Sequence, residues 1–341
     1  MSKDRRRHNS KRHVVKDTFI YYDVIGSHER REDRGLFDAL LNEVEWELPK
    51  MRGTPISRLS ATQGQLSEDG SMPIYRYPID VLLAVNPFSK TVLMIRDKLH
   101  QVLGQDLRLN HVLIQLYRNG RDHITPHSDK TLDIARNSKV INYTIGESRR
   151  MVFTKKDPTP DNNHNNHNCH DKEDEASVWL IDDSALVLGP KTNRDYMHCI
   201  PRDSETRGQR ISLTFRNITT FLSADNTRVV GQGAGPTGVL TVDDSYRARM
   251  NLVYKFGLDN TQDSRAFDWD QTYGSGSGYT FESSSRGRAS RNPESDQGSP
   301  DSAARVPPAE PTGPPKPSLA PVRLPQESNL ETPASSPCPS C

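Results

Sequence analysis

The sequence predicts a mainly β fold, an antiparallel sandwich or barrel with helices on one side. Two observations carry this. Two apolar stripes of helical spacing lie before Gly104, and from His111 onward the spacing changes to the two-residue alternation of strands. No internal repeat is visible.

The elements follow in chain order. Phe19 to Ile25 is short, aromatic and β-branched, and reads as a first strand. Gly35 to Trp46 carries Leu36, Leu40, Leu41 and Val44 as a helical stripe, ended by Pro49. Arg52 to Pro78 is rich in Gly, Pro and Ser and reads as loops and a hairpin, with Tyr75 and Tyr77 alternating around Arg76. Ser89 to Leu103 repeats the helical spacing through Val92, Ile95, Leu99, Val102 and Leu103, with Gly104 placed as its C-cap. Strands are expected at His111 to Tyr117, Lys139 to Ile145, Met151 to Thr154, Val178 to Ile181, Ala185 to Leu188 and Arg210 to Arg216. Tyr246 to Phe256 reads as one more helix. Phe267, Trp269 and Tyr273 are expected to pack back on the core.

Composition divides the chain into segments. Residues 1–17 hold Lys3, Arg5, Arg6, Arg7, Lys11, Arg12 and Lys16, a basic disordered arm that is either simply solvated or an import or nucleic-acid contact. Residues 18–225 form the main domain, interrupted at about 156–177 by an Asn- and His-rich surface insertion. Residues 226–280 are an extension packing on that domain. Residues 281–341, rich in Pro and Ser, cannot bury enough surface to offset their ordering entropy and read as a disordered tail, polyproline-like from Pro307 to Pro325. A net charge of +1 argues against polyanion binding by overall charge alone. There is no apolar run long enough for a membrane span and no signal-peptide pattern. The four cysteines form no disulfide framework, which suits a reducing compartment, nucleus or cytoplasm. The chain reads as a monomer.

The chemistry rests on His127-Ser128-Asp129 and on His198 downstream. Two imidazoles and one carboxylate are the facial triad of non-haem iron(II) oxygenases, which leaves open positions on the metal. In a strand-like segment residues i and i+2 point the same way, so His127 and Asp129 can converge on one ion while His198 arrives from another strand. Alone, His-x-Asp is also an ordinary polar loop. The strand Arg210-Ile211-Ser212-Leu213-Thr214-Phe215-Arg216 strengthens it. Ile211, Leu213 and Phe215 make an apolar face. Arg210, Ser212, Thr214 and Arg216 make a polar one, either solvent-facing or the inward wall that a dicarboxylate needs, since arginine grips a carboxylate through two charge-assisted hydrogen bonds. His164, His167, Cys169 and His170 in the insertion offer metal-ligand types without a rigid setting. Cys338 and Cys341 lack a second pair, and Gly231-Gln232-Gly233 lacks the context of a phosphate loop.

His-x-Asp, then His, then Arg-x5-Arg within R-x-S-L-T-F-R resembles the AlkB-like branch of the Fe(II)/2-oxoglutarate-dependent dioxygenases. Leu113 to Gly120 resembles its Asn-x-Tyr element, Thr144 to Arg149 its strand S-L-G-x-x-R, and Arg58-Leu59 its P-R-L element. The likeness covers about Phe19 to Leu222. It implies a double-stranded β-helix, the jelly-roll core of this enzyme class. It implies iron(II) ligated by His127, Asp129 and His198, with dioxygen and 2-oxoglutarate as co-substrates. Arg210 would pair with the distal carboxylate of 2-oxoglutarate, with Tyr117, Gln115 and Ser212 assisting. Arg216 would lie near the metal-bound end and orient Asp129.

The same likeness implies oxidative dealkylation of alkylated nucleic-acid bases, as in DNA-repair demethylases. Tyr75 and Tyr77 would stack on a base, and Arg58, Arg76 and Arg52 would meet phosphates. For each residue alone, a packed tyrosine or surface arginine explains it as well. Two departures stand against the repair assignment. The acidic residue that usually follows His-x-Asp is missing or displaced in Lys130-Thr131-Leu132-Asp133, and no aromatic follows Arg58-Leu59. Two alternatives therefore stay open: a dioxygenase of the same fold acting on a small metabolite or a protein, and a catalytically silent binding module.

Overall fold

The computed structural model describes residues 10–26, 35–156 and 176–281. The eight strands from His111–Tyr117 to Arg210–Arg216 divide between two sheets. Ser184–Leu188, Val140–Gly146, Arg210–Arg216 and His111–Tyr117 are neighbours in one, and Ala176–Leu180, Arg149–Lys155, Tyr196–Ile200 and Ile124–His127 make the other. Every pairing among these eight is antiparallel. This is the double-stranded β-helix, two sheets that exchange strands along the chain.

The larger sheet grows at both ends. Lys11–Val15 and Thr18–Tyr22 add beyond Ser184–Leu188, and Leu59–Gly64 and Val85–Pro87 beyond His111–Tyr117. Thr18–Tyr22 falls within the expected first strand but for Thr18, and two other strands depart from the sequence reading. Lys11–Val15, inside the expected basic arm, pairs with Thr18–Tyr22 through a turn at Lys16 (φ 46°). Leu59–Gly64, expected as loop, runs buried beside His111–Tyr117. Its sequence LSATQG lacks the apolar alternation that marks a strand, because its inner face lines the polar interior.

Alternation explains the layers. Ile211, Leu213 and Phe215 face outward onto helices Leu36–Glu43 and Lys90–Leu103, meeting Leu36, Leu40, Val92, Ile95 and Leu99. Each such fully buried side chain contributes about 1.5–3 kcal/mol. The intervening polar residues point between the sheets, and all seven residues of Arg210–Arg216 are buried. The first helix stops at Glu43, where Val44 turns extended, and Trp46 donates its indole N–H to the Leu41 carbonyl. Gly104 ends the second with φ 120°, a conformation suited to glycine.

The chain after the jelly roll adds a small sheet, with Thr220–Leu222, Arg228–Gly231, Val239–Thr241 and the distant Met72–Pro73. Two helices follow, Tyr246–Thr261 and Trp269–Tyr273. Leu252, Phe256, Phe267 and Tyr273 share a core with Ile74, Ile79, Leu82 and Leu132. The longer helix runs past the expected end at Phe256, through Gly257, to Thr261. Lys156, Ala176 and Ser177, placed in the insertion by sequence, belong to ordered segments at its edges, and Phe281, placed in the tail, is buried against Phe256 and Tyr279; the insertion's His164, His167, Cys169 and His170 and tail residues 282–341 fall outside the described residues. Cys199 is buried in Tyr196–Ile200, and the other three cysteines fall outside the described residues. No helix among the described residues is long and apolar enough to cross a membrane.

Candidate active site

Strands Ile124–His127 and Tyr196–Ile200 pair so that His127 lies opposite His198, with ring centroids 4.4 Å apart. Nδ1 of His127 lies 2.9 Å from the Thr125 carbonyl. A carbonyl only accepts, so Nδ1 carries the proton and Nε2 keeps its lone pair. The other imidazole, on His198, is buried with Nδ1 unpartnered. Asp129 follows the end of the first strand. Asn193 clamps its backbone, accepting from the Asp129 N–H at 2.8 Å and donating to its carbonyl at 2.9 Å. Arg216 donates to Oδ2 of Asp129 at 3.1 and 3.3 Å, and among the described residues Oδ1 accepts no hydrogen bond. Ligand atoms of His127, Asp129 and His198 all lie within 4.8 Å of one another.

The protonation states suit a metal. Burial, reinforced by His198, holds His127 well below the usual imidazole range, and burial brings His198 down to about 4. Burial also pushes the Asp129 carboxyl up, but Arg216 and the two imidazoles outweigh it and hold the group below its ordinary value. Two neutral imidazoles beside one carboxylate form a ligand set that needs no proton removed before a cation binds.

The second part of the site is cationic. Arg210 lies opposite Tyr117 across the central strand pair. The guanidinium carbons of Arg210, Arg149 and Arg58 sit 5.0, 5.5 and 5.6 Å from the Tyr117 ring centre. Arg149 is satisfied by the carbonyls of Asn119, Asp122 and Pro201. Arg210 is not. Its Nη2 reaches Thr144 Oγ1 at 2.9 Å and Asn142 Oδ1 at 3.2 Å, while its buried Nε and Nη1 have no partner. Among the described residues no carboxylate pairs with it. A buried guanidinium with two unpartnered nitrogens is costly unless an anion meets them, and a carboxylate group suits that role. Ser212 is opposite Gln115 in register and accepts from Asn142 Nδ2 at 2.8 Å. Asn142 and Thr144 were not singled out by sequence. The alternation Ile141-Asn142-Tyr143-Thr144-Ile145 carries the same inward polar signal as the Arg210 strand.

The expected substrate residues are placed differently. Arg76 is wholly buried, paired with Asp133 and donating to the carbonyls of Ser277 and Tyr279. It is a structural tie and cannot meet a phosphate; Asp133, the candidate displaced acid, is its counterion. Arg58 is also buried, giving Nη1 to the His123 carbonyl beside Tyr117, at the anion-binding end. Tyr75 is a wall of the metal site. Its hydroxyl accepts from the Lys130 N–H at 3.0 Å and its ring lies 3.9 Å from the Arg216 guanidinium carbon. That leaves Tyr77, half-buried, stacked on Tyr75 at 5.6 Å, facing a recess with Thr62, Leu83 and Leu113.

His111 is buried in the same recess with Nδ1 unpartnered, and burial, then Arg216, brings it down to about 3 from 6.5. The unfolded chain therefore takes up this proton first as pH falls, so the contribution of His111 to stability is present above about pH 6.5 and is lost toward pH 3. Urea unfolding at pH 7 and pH 5 is expected to show a smaller difference for His111→Phe than for the parent. Equal differences would contradict a neutral His111 in the fold.

A two-sheet jelly roll carrying a facial His/Asp/His cluster beside an unsatisfied buried arginine defines a non-haem iron oxygenase that uses a 2-oxoacid. The family model described as "2OG-Fe(II) oxygenase superfamily" matches residues 19–216, and the chain belongs to that superfamily. Its likeness within it is to AlkB homologues. The chain is 26% identical over 190 residues to the Bos taurus "Alpha-ketoglutarate-dependent dioxygenase alkB homolog 3", 55% of this chain and 62% of that protein. It is 30% identical over 148 residues to the Bos taurus "DNA oxidative demethylase ALKBH2", 42% of this chain and 50% of that protein. The matched region thus spans less than two thirds of these curated relatives. The solved structure of OsALKBH1 superposes on 61% of this chain and 100% of its own with a TM-score of 0.42 at 15% identity. The superfamily's iron(II) and 2-oxoglutarate fit the residues present, the metal at His127, Asp129 and His198, and the dicarboxylate at Arg210.

Proposed function

We propose that this protein is an iron(II)- and 2-oxoglutarate-dependent dioxygenase that removes N-alkyl groups from nucleic-acid bases, with residues 18–225 as its catalytic domain. The buried, unpartnered Nε and Nη1 of Arg210, together with the three-ligand cluster, carry the dioxygenase reading. When bound, iron(II) and 2-oxoglutarate supply the oxidation: one oxygen atom of O2 ends in succinate as carbon dioxide leaves, and the other enters a substrate C–H bond. An N-methyl group so hydroxylated breaks its C–N bond, giving free amine and formaldehyde. The chain's own part is to hold the ligands, anchor the dicarboxylate at Arg210 and exclude water.

The DNA oxidative demethylase activity named for the ALKBH2 relative supports a nucleic-acid substrate, as does the half-buried Tyr77, an aromatic face for an unstacked base. One observation favours the alternative, a small metabolite or a protein side chain. Lys130 and Thr131 stand where repair enzymes keep an acid, and both are turned away toward Asn260 and Asp259, so no carboxylate there meets a base edge. The test is succinate formation with iron(II), ascorbate and 2-oxoglutarate, with and without methylated single-stranded DNA or RNA, beside His127→Ala. Coupled loss of the methyl group, absent in the variant, is the expected result. Succinate that depends on His127 but on no oligonucleotide would move the substrate to a metabolite or protein. No iron-dependent turnover and no 2-oxoglutarate binding would leave a silent scaffold.

A further inference from the structure

The loop that delivers Asp129 is held from behind by a part of the chain that lies beyond the superfamily match. The end of helix Tyr246–Thr261 reaches Ser128, Lys130 and Thr131, residues on either side of the ligand. Oδ1 of Asn260 accepts from the Ser128 N–H at 3.0 Å and from the Lys130 ammonium at 2.7 Å. Oδ2 of Asp259 accepts from the Thr131 N–H at 2.7 Å, its hydroxyl at 2.9 Å and the Tyr273 hydroxyl at 3.0 Å. The Asp259 carbonyl, in the last turn of the helix where intrahelical donors run out, takes the Lys156 ammonium at 2.7 Å and the Ser128 hydroxyl at 3.2 Å.

The same helix end touches the other ligand strand. Nδ2 of Asn260 lies 4.0 Å from the sulfur of Met197, the residue before His198. Lys156 continues from Arg149–Lys155, whose Phe153 is opposite His198. One side chain, Asn260, thus bridges the segment holding Asp129 and the segment holding His198. The two segments are far apart in sequence, and Asn260 adds to the links made by the His127–His198 strand pair and by Asn193.

We infer that Asn260 is a positioning residue for the metal centre, and that docking of the Tyr246–Thr261 helix is coupled to metal binding. Asn260 touches no ligand atom. It acts by fixing the backbone on which Asp129 sits and the register of the His198 strand against it, as outer hydrogen-bond partners do at metal sites. Coupling of this kind is reciprocal: if the docked helix favours the metal, the metal favours the docked helix. The inference rests on the iron-site reading.

The experiment titrates cobalt(II) into metal-free full-length protein, with parent, Asn260→Ala, Asn260→Asp and, as control on the exposed face of the same helix, Tyr254→Ala. Asn260→Ala is expected to raise the cobalt Kd about 10-fold or more, and the KM for iron(II) with it, while kcat at saturating iron changes little. Asn260→Asp keeps an acceptor for Ser128 and Lys130 and is expected to restore most of the affinity. Tyr254→Ala is expected to match the parent. A second measurement needs no variant: cobalt should slow hydrogen exchange at the parent's amides from Val253 to Thr261. Parent-like cobalt affinity in Asn260→Ala overturns the inference, as does unchanged exchange in the helix. A parent that binds no cobalt at all would instead overturn the metal site itself.

Discussion

Replacing Arg210 with methionine is expected to raise the KM for 2-oxoglutarate by about 100-fold or more while leaving the fold at least as stable. The charge-assisted pair that Arg210 can form with a carboxylate is buried, and losing such a pair costs about 2–5 kcal/mol, where 1.4 kcal/mol is tenfold. The stability half of the result is the more telling. Without ligand, Arg210 is a buried cation with two unpartnered nitrogens, and burial, helped by the nearby Arg149 and Arg58, draws it down to about 10. An apolar side chain of similar length removes that cost. A thermal melt without 2-oxoglutarate should therefore show Arg210→Met at or above the parent, and added 2-oxoglutarate should stabilise only the parent. An unchanged KM would move the anchoring role to Arg58 or Arg149.

Asp129→Ala is expected to abolish metal binding and also to lower the stability of the metal-free protein by about 3–5 kcal/mol, the usual result of stripping one partner from a buried ion pair. Arg216 is 3% exposed, and Asp129 is the one carboxylate it is paired with among the described residues. Adding Arg216→Met to Asp129→Ala should recover much of the loss, because the stranded charge goes too. Urea unfolding of the parent, both single variants and the double variant gives the coupling energy directly. Additive losses would mean that the pair contributes nothing as a pair.

The ligands were legible because chemistry forced their types and spacing. His-x-Asp, the distant His198 and the alternating Arg210 strand are each a pattern in one dimension. The β-rich, antiparallel character was legible for a related reason, since strands with one apolar and one polar face show their period, while the jelly roll itself followed from the family resemblance. Leu59–Gly64 was not, because SATQ places small polar residues on a strand that lines a polar interior. The roles of Arg76, Arg58 and Tyr75 were misjudged because exposure cannot be read from residue type; an arginine with a buried aspartate partner looks the same in sequence as one awaiting a phosphate. Asp259 and Asn260 were hidden because they lie beyond the expected helix end at Phe256.

The strand Lys11–Val15 carries a consequence for handling the molecule. It is the outermost strand of the eight-stranded sheet, and its exposed Lys11, Arg12 and His13 give that border a charged rim. Charge on a border strand discourages a second chain from continuing the sheet. Behind it lies Thr18-Phe19-Ile20-Tyr21-Tyr22, aromatic and β-branched throughout. A protein trimmed to begin at Thr18 would present this segment's unpaired N–H and C=O groups to solvent. It would then self-associate edge to edge, so loss of a short basic segment would read out as aggregation.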